Sequence, residues 1–337
     1  MTAKCYPSAH RSRSELSRRA FFGSLEAAAL TCGCVEVGTR EPPASFRSGS
    51  QTQVSVYKAM LAQEALIADP TRCSLSVDLG WLAQPGDQVR VMRSADEFAI
   101  YTIDALHDSP SASLRMSLAG RQRLGTSQTF AAILDTQVTA TDCTDAEAQA
   151  DSEFVERVSG EIGNDSLIVI APHGGGIEAH TDTQASSLAT IRGVGYWACK
   201  GWRSGGGAYD RWHVTSTDLS PSNLPGLAQI TGVGYRRAVA FHGKSSPGVL
   251  IGGAAALEER IVVGEAVALA LSGTGLPIVV AEANDPLNGD SPHNVVNWLT
   301  ASGVDGIQLE QCSTVRSNYA MAVVWAVNAA LDTLESS

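Results

Sequence analysis

Leu167–Glu178 reads LIVIAPHGGGIE. An apolar run of β type ends at Pro172-His173, three glycines follow, and a carboxylate closes the stretch. A short, uninterrupted apolar run bounded by turn formers is the mark of a strand buried on both faces, as in the parallel sheets of α/β domains. His173 and Glu178 are too far apart in sequence to share a helical face. They converge only through a tight loop, which Gly174-Gly175-Gly176 permits. Two further apolar runs also end in ionisable residues, Ala238–His242 (AVAFH) and Gly306–Glu310 (GIQLE).

From Thr144 onward, helical and strand patterns alternate. A polar helix over Asp145–Ser159 precedes the strand Leu167–Ala171, and a helix over Asp182–Ile191, capped by Thr181 or Asp182, follows it. Then come strand Val249–Gly252, helix Ala254–Leu271, strand Pro277–Ala281, helix Pro292–Thr300, strand Val304–Leu309 and a closing helix, Asn318–Leu334. This alternation predicts an α/β domain over 144–337 with a largely parallel sheet. Such sheets bind ligands beyond the carboxyl ends of their strands, where His173, His242 and Glu310 fall.

Ahead of it, Ser74–Val138 holds short alternating runs (SLSVDLGWL, DQVRVMR, FAIYTI, SLRMSL, FAAIL) joined by turns such as Gln84-Pro85-Gly86-Asp87. These predict a small all-β domain over 73–143. His107, beside Asp108, reads as a surface histidine. Arg40–Ser50 is rich in Pro, Ser and Gly, and Val54–Ile67 has helical spacing, so 35–72 reads as linker and helix.

No apolar run reaches the ~18 residues of a membrane-spanning helix. The formal net charge is −11, but residues 1–34 carry five basic residues against Glu15 and Glu26, which leaves −14 for the rest. Nucleic acid is therefore excluded as a partner, since phosphate binding needs a basic surface. Ser17-Arg18-Arg19-Ala20-Phe21-Phe22 has the form of a twin-arginine signal, which predicts export of the folded protein to the cell surface or beyond. Thr31-Cys32-Gly33-Cys34 fits either a degenerate lipidation site or a cleavage region. Export permits disulfides, and Cys73 with Cys143 and Cys199 with Cys312 are the pairs to test against free thiols. The chain lacks a CxxC pair, which argues against a cysteine zinc cluster.

Two His and two Glu near strand ends suit a zinc hydrolase. Catalytic zinc takes three N/O ligands and keeps one open position. His173 and Glu178 supply two, and His242 is the best-placed third. His213, inside RWHVTST (Arg211–Thr217), suits a place beside the site rather than on the metal, and His180 and His293 look like loop residues. Glu310 is either the structural partner of Arg316 or a general base. In the second case Arg316 is free to bind a substrate carboxylate through its fork of donors.

APHGGGIE with the following Thr181, HVTST at 213–217, FHG at 241–243, IGG at 251–253, the Asn294-to-Asn297 element and GIQLE with Arg316 occur in the order of the poly-γ-glutamate hydrolases of phages and prokaryotes. Over about Gly163–Arg316 the chain resembles that family. The resemblance implies a zinc carboxypeptidase-like fold, a mixed sheet with helices on both faces. It implies Zn2+ on His173, Glu178 and His242, with Glu310 as the catalytic carboxylate, and cleavage of amide bonds to the γ-carboxyl of glutamate. One departure is His180, where the family pattern has glycine; Asp182 and Gln184 also change that neighbourhood.

The expected protein is thus an exported zinc hydrolase acting on an anionic γ-glutamyl polymer or peptide. A γ-D-glutamyl bond of a wall peptide is the alternative substrate, and binding of γ-glutamyl polymer without cleavage is the alternative activity. An acidic protein needs a local basic lining to hold a polyanion. Lys200, Arg203, Arg211, Arg236, Arg237 and Arg316 are the candidates, and Arg316, His213 and Lys200 are assigned to the substrate.

Overall fold

The computed structural model describes residues 49–60 and 69–336. The twin-arginine segment, most of the linker, the cysteines at 5, 32 and 34, and residues 61–67 of the expected helix lie outside the described residues.

Six strands come first: β1 (Gln51–Lys58), β2 (Arg72–Ser76), β3 (Gln88–Met92), β4 (Phe98–His107), β5 (Ser113–Met116) and β6 (Phe130–Asp135). They close into a barrel in the order β1-β5-β2-β4-β3-β6, so each strand has two neighbours and no edge is left unpaired. Val54, Val56, Leu75, Val91, Tyr101 and Leu134 fill it. This corrects the helix expected from Val54: the described part is strand, antiparallel to β6 and parallel to β5. Val54 and Val56 alternate with less buried neighbours at strand period. His107 is likewise not a surface residue. It is buried, with Nδ1 3.0 Å from Ser74 Oγ and Nε2 3.0 Å from Ser113 Oγ, and burial pushes its pKa down to about 4.

The second unit is a mixed α/β domain. Its strands are β7 (Phe154–Ser159), β8 (Leu167–Gly175), β9 (Gly195–Gly201), β10 (Arg237–Lys244), β11 (Val249–Gly252), β12 (Ile278–Val280) and β13 (Gly306–Cys312). They form one seven-stranded sheet in the order β12-β11-β13-β10-β8-β9-β7. The pairs β9–β8, β8–β10, β10–β13 and β11–β12 are parallel, while β11–β13 and β7–β9 are antiparallel.

The period of two along β8 explains the layers. Leu167, Val169 and Ala171 join a core made with the helices Thr181–Arg192, Leu257–Ala270 and Ala320–Ser336. Ile168 and Ile170 face the other side, with Trp197, Trp212, Leu227, Val295 and Phe98, the last of these from the barrel. A strand between two apolar layers has to be apolar throughout, and LIVIA is.

Two other expectations change, and the alternative left open for the cysteines closes. The polar helix ends at Ala150, its start fixed by a capping box between Thr144 and Glu147, and Phe154–Ser159 is strand. The helix after the glycine loop starts at Thr181 with His180 at its N-cap, without a side-chain cap bond. The four cysteines of the described residues are free thiols, so neither disulfide pairing forms. Among the described residues, no helix is long and apolar enough to cross a membrane.

Candidate metal centre

β8 runs on past its apolar stretch to Gly175, with a bulge against β9 between Ala171 and Gly174. The glycines have steric reasons to be there. A Cβ on Gly174 would stand 2.7 Å from Asp182 Cβ, and one on Gly175, whose φ is +68°, would stand 2.9 Å from Gly201 O. The turn that follows folds back on the strand, so that Glu178 N donates to His173 O at 2.9 Å. His180 closes the turn with φ +76°. That is the left-handed region which glycine enters freely, and it accounts for the glycine expected there.

β10 continues the register of β8, pairing Ala240 with Ile170, and so brings His242 beside His173. On its other side β10 pairs His242 with Glu310 of β13; register partners share a sheet face. The result is a buried cluster. His173 Nδ1 lies 3.2 Å from Glu178 Oε1 and 3.2 Å from His242 Nδ1, and His242 Nδ1 lies 3.7 Å from Glu178 Oε2. Donors held ~2.0–2.1 Å from a tetrahedral zinc stand ~3.3 Å from one another. His173 Nδ1, His242 Nδ1 and the Glu178 carboxylate, which meets the first through Oε1 and the second through Oε2, are therefore spaced as ligands around one such ion are.

His213 belongs to the same neighbourhood. One donor atom from each of His173, Glu178 and His213 falls within a 4.8 Å spread, and the rings of His173 and His213 are 4.2 Å apart.

The surroundings set the protonation pattern. His173 Nε2 donates to Val214 O at 2.8 Å, which leaves Nδ1 to face Glu178. A ligating imidazole is commonly oriented by such a bond on its other nitrogen. Burial opposes a charge on His173, but Glu178 and the Val214 carbonyl outweigh it and raise the pKa. Glu178 is buried too, yet His173 and His242 hold it well below the usual carboxylate range. Its Oε2 also accepts from Gly243 N at 2.8 Å. For His213, burial together with His173 and His242 drives the pKa down.

Glu310 behaves oppositely. Burial, with Glu178 nearby, pushes its pKa up to about 7. Its Oε1 accepts from Gln308 Nε2 at 2.7 Å, and Gln308 Oε1 accepts from Asn294 Nδ2 at 2.8 Å. That chain gives the Asn294 element its role.

Among the described residues no ion pair joins Glu310 to Arg316. The Arg316 guanidinium sits on Gly243, where a Cβ would come within 2.8 Å of its Cζ, and Nη1 donates to Ala179 O at 2.6 Å. Nη2 makes no protein hydrogen bond among the described residues, so Arg316 offers a donor beside the cluster. Lys200 does not. Its ammonium is held by Asp145 at 2.5 Å and Asp182 at 2.6 Å. Arg237 is paired with Glu259, and Arg211 is buried over the Phe98 ring. Tyr209, unnoticed in the sequence, stacks on His213 at 4.3 Å while 51 % exposed.

A sequence model of one protein family, described as poly-gamma-glutamate hydrolase, matches residues 144–324. Among curated proteins none matches the chain. Among solved structures, the chain is similar to a bacteriophage poly-gamma-glutamate hydrolase at 24 % identity, covering 54 % of this chain and 90 % of that one, with a TM-score of 0.43. It is similar to YNDL in its zinc-free apo form at 22 % identity, covering 53 % and 89 %, with a TM-score of 0.44. A metallo-carboxypeptidase from Burkholderia cenocepacia shares 10 % identity over 74 % of this chain and 81 % of its own, with a TM-score of 0.38.

Proposed function

The chain belongs to the poly-gamma-glutamate hydrolase family, and we propose that it is a zinc-dependent hydrolase of γ-glutamyl amide bonds. The observation that carries the metal reading is the trio of distances among His173, Glu178 and His242, 3.2, 3.2 and 3.7 Å. These residues would hold the zinc. Zinc, when bound, supplies Lewis acidity for a carbonyl and for water, and its charge lowers the pKa of neighbouring acids.

Glu310 then works as general base. It accepts a proton from the attacking water and returns it to the nitrogen of the departing amine. Burial favours its neutral form and so makes it a stronger base than an exposed carboxylate. Gln308 keeps it in place. Arg316 binds a carboxylate of the substrate through its uncommitted Nη2, and His213 with Tyr209 forms an aromatic wall beside His173.

The test is hydrolysis of poly-γ-glutamate, followed by polymer length and by released products, with and without a chelator. Shortening that stops with chelator and returns with zinc is the expected result. Retention of the polymer without any shortening would leave a binding protein instead, and cleavage confined to γ-D-glutamyl wall peptides would move the substrate. Because Glu310 must be deprotonated to act, kcat should rise with pH along a limb at or below about pH 7. A pH profile that falls over the same range contradicts the assignment.

The proposed location is outside the cytoplasm, from Arg18-Arg19 before Phe21-Phe22. Replacing both arginines with lysine should leave the protein in the cytoplasm, and fractionation of the double variant decides this. Export that proceeds unchanged removes the twin-arginine reading.

A further inference from the structure

His213 and Val214 reach the cluster on a connecting segment, and the barrel grips that segment on both sides. Before His213, Arg123 Nε donates to Asp210 O at 2.7 Å, and Phe98 meets Trp212 edge-on at 5.4 Å. After Val214, Arg72 Nη2 stands 2.7 Å from both carboxylate oxygens of Asp218. The buried Gln88 donates through Nε2 to Asp218 O at 2.5 Å and accepts from Ser220 N at 3.2 Å. The sheet domain adds Trp212 Nε1 to Trp202 O at 2.6 Å and Val295 N to Ser216 O at 3.1 Å. The family match begins at residue 144, so the barrel anchors all come from sequence outside it.

What the segment presents is the Val214 carbonyl, 2.8 Å from His173 Nε2. That single bond selects the Nε2–H tautomer and leaves Nδ1 toward Glu178 and His242. If the segment drifts, the acceptor is lost and His173 can take either tautomer or turn its ring. The geometry of one strand residue therefore depends on a loop which the strand does not control.

We propose that the barrel is an intramolecular brace for the metal centre. Arg72 and Gln88 are positioning residues that act through Asp218 and Ser220 to hold Val214 O, and so His173, in register. The inference rests on the reading of His173 as a metal ligand. The bond partners of metal-bound histidines typically contribute on the order of 10–100-fold in metal affinity, and Arg72, one step further away, should contribute roughly tenfold.

The experiment uses the full chain as Arg72→Ala, Arg72→Lys and Gln88→Ala. Each is measured for melting temperature, zinc affinity by competition with a chelator, and, at a pH high enough for the ring to be neutral, the His173 tautomer in metal-free protein from side-chain 15N shifts. The expected result is a folded Arg72→Ala protein with weakened zinc affinity and a mixed His173 tautomer, both largely restored in Arg72→Lys. Gln88→Ala should behave like Arg72→Ala and carries the test alone if the latter does not fold. A folded variant with unchanged zinc affinity and an unchanged Nε2–H tautomer overturns the brace. If the wild-type protein binds no zinc but the tautomer still shifts in the variants, the brace stands and the metal reading fails.

Discussion

Glu310→Gln should lower kcat by ~10²–10⁴-fold, the usual contribution of a positioned general base, while KM and zinc content stay near wild type. The amide matches the carboxylate in size, and its oxygen can still accept from Gln308 Nε2, as Oε1 does at 2.7 Å. It has no lone pair basic enough to take the proton from water. An interaction needed only on the way to the transition state is lost from kcat and not from KM. The same variant tests the structural alternative, because a carboxylate kept for an ion pair would show its loss as instability. Here the sign runs the other way. The folded-state pKa of Glu310 is raised to about 7 from 4.5, so its contribution to stability is fully present below about pH 4.5 and is lost as pH rises through about 7. Metal-free Glu310→Gln should therefore melt no lower than wild type at pH 8, and it should lack that stretch of pH dependence. A zinc-loaded Glu310→Gln protein with turnover within a few-fold of wild type would sink the proposed mechanism.

Which parts of this site could be read in advance follows from how local their causes are. LIVIA, AVAFH and GIQLE declare themselves as strands because each lies between two apolar layers, and the parallel sheet then sets His173, His242 and Glu310 side by side. β7 gave no such signal. Its half-buried Glu156 accepts from Trp197 Nε1 and from Gly226 N and Leu227 N, partners more than forty residues away, so FVERVS reads as a continuing polar helix. β1 was hidden for a related reason: its pairing with β5 and β6 is wholly non-local. Lys200 looked like a free cation in sequence because Asp145 and Asp182 reach it only through the fold. The nearness of His213 to the cluster is likewise a property of how its segment is held, and no spacing rule reports it.

Metal ligation gives the other large effect, and the informative comparison is between two histidines. His173→Ala and Glu178→Ala should each strip stoichiometric zinc from a folded protein, since each removes one of the donors that meet at 3.2 Å. His242→Ala should do the same. Its Nδ1 stands 3.2 Å from His173 Nδ1, an approach that two imidazoles make comfortably when a cation lies between their lone pairs. Its register partner is Glu310, so the strand that carries it also orients the proposed base. His213 shares the neighbourhood, but its ring is occupied by stacking against Tyr209. His213→Ala should therefore keep its zinc and lose mainly substrate affinity, seen as a raised KM. Metal analysis of the four purified variants, with circular dichroism to confirm folding, separates the possibilities. Should His242→Ala retain full zinc while His213→Ala loses it, the third ligand is His213, and Val214 next to it would then brace two ligands at once.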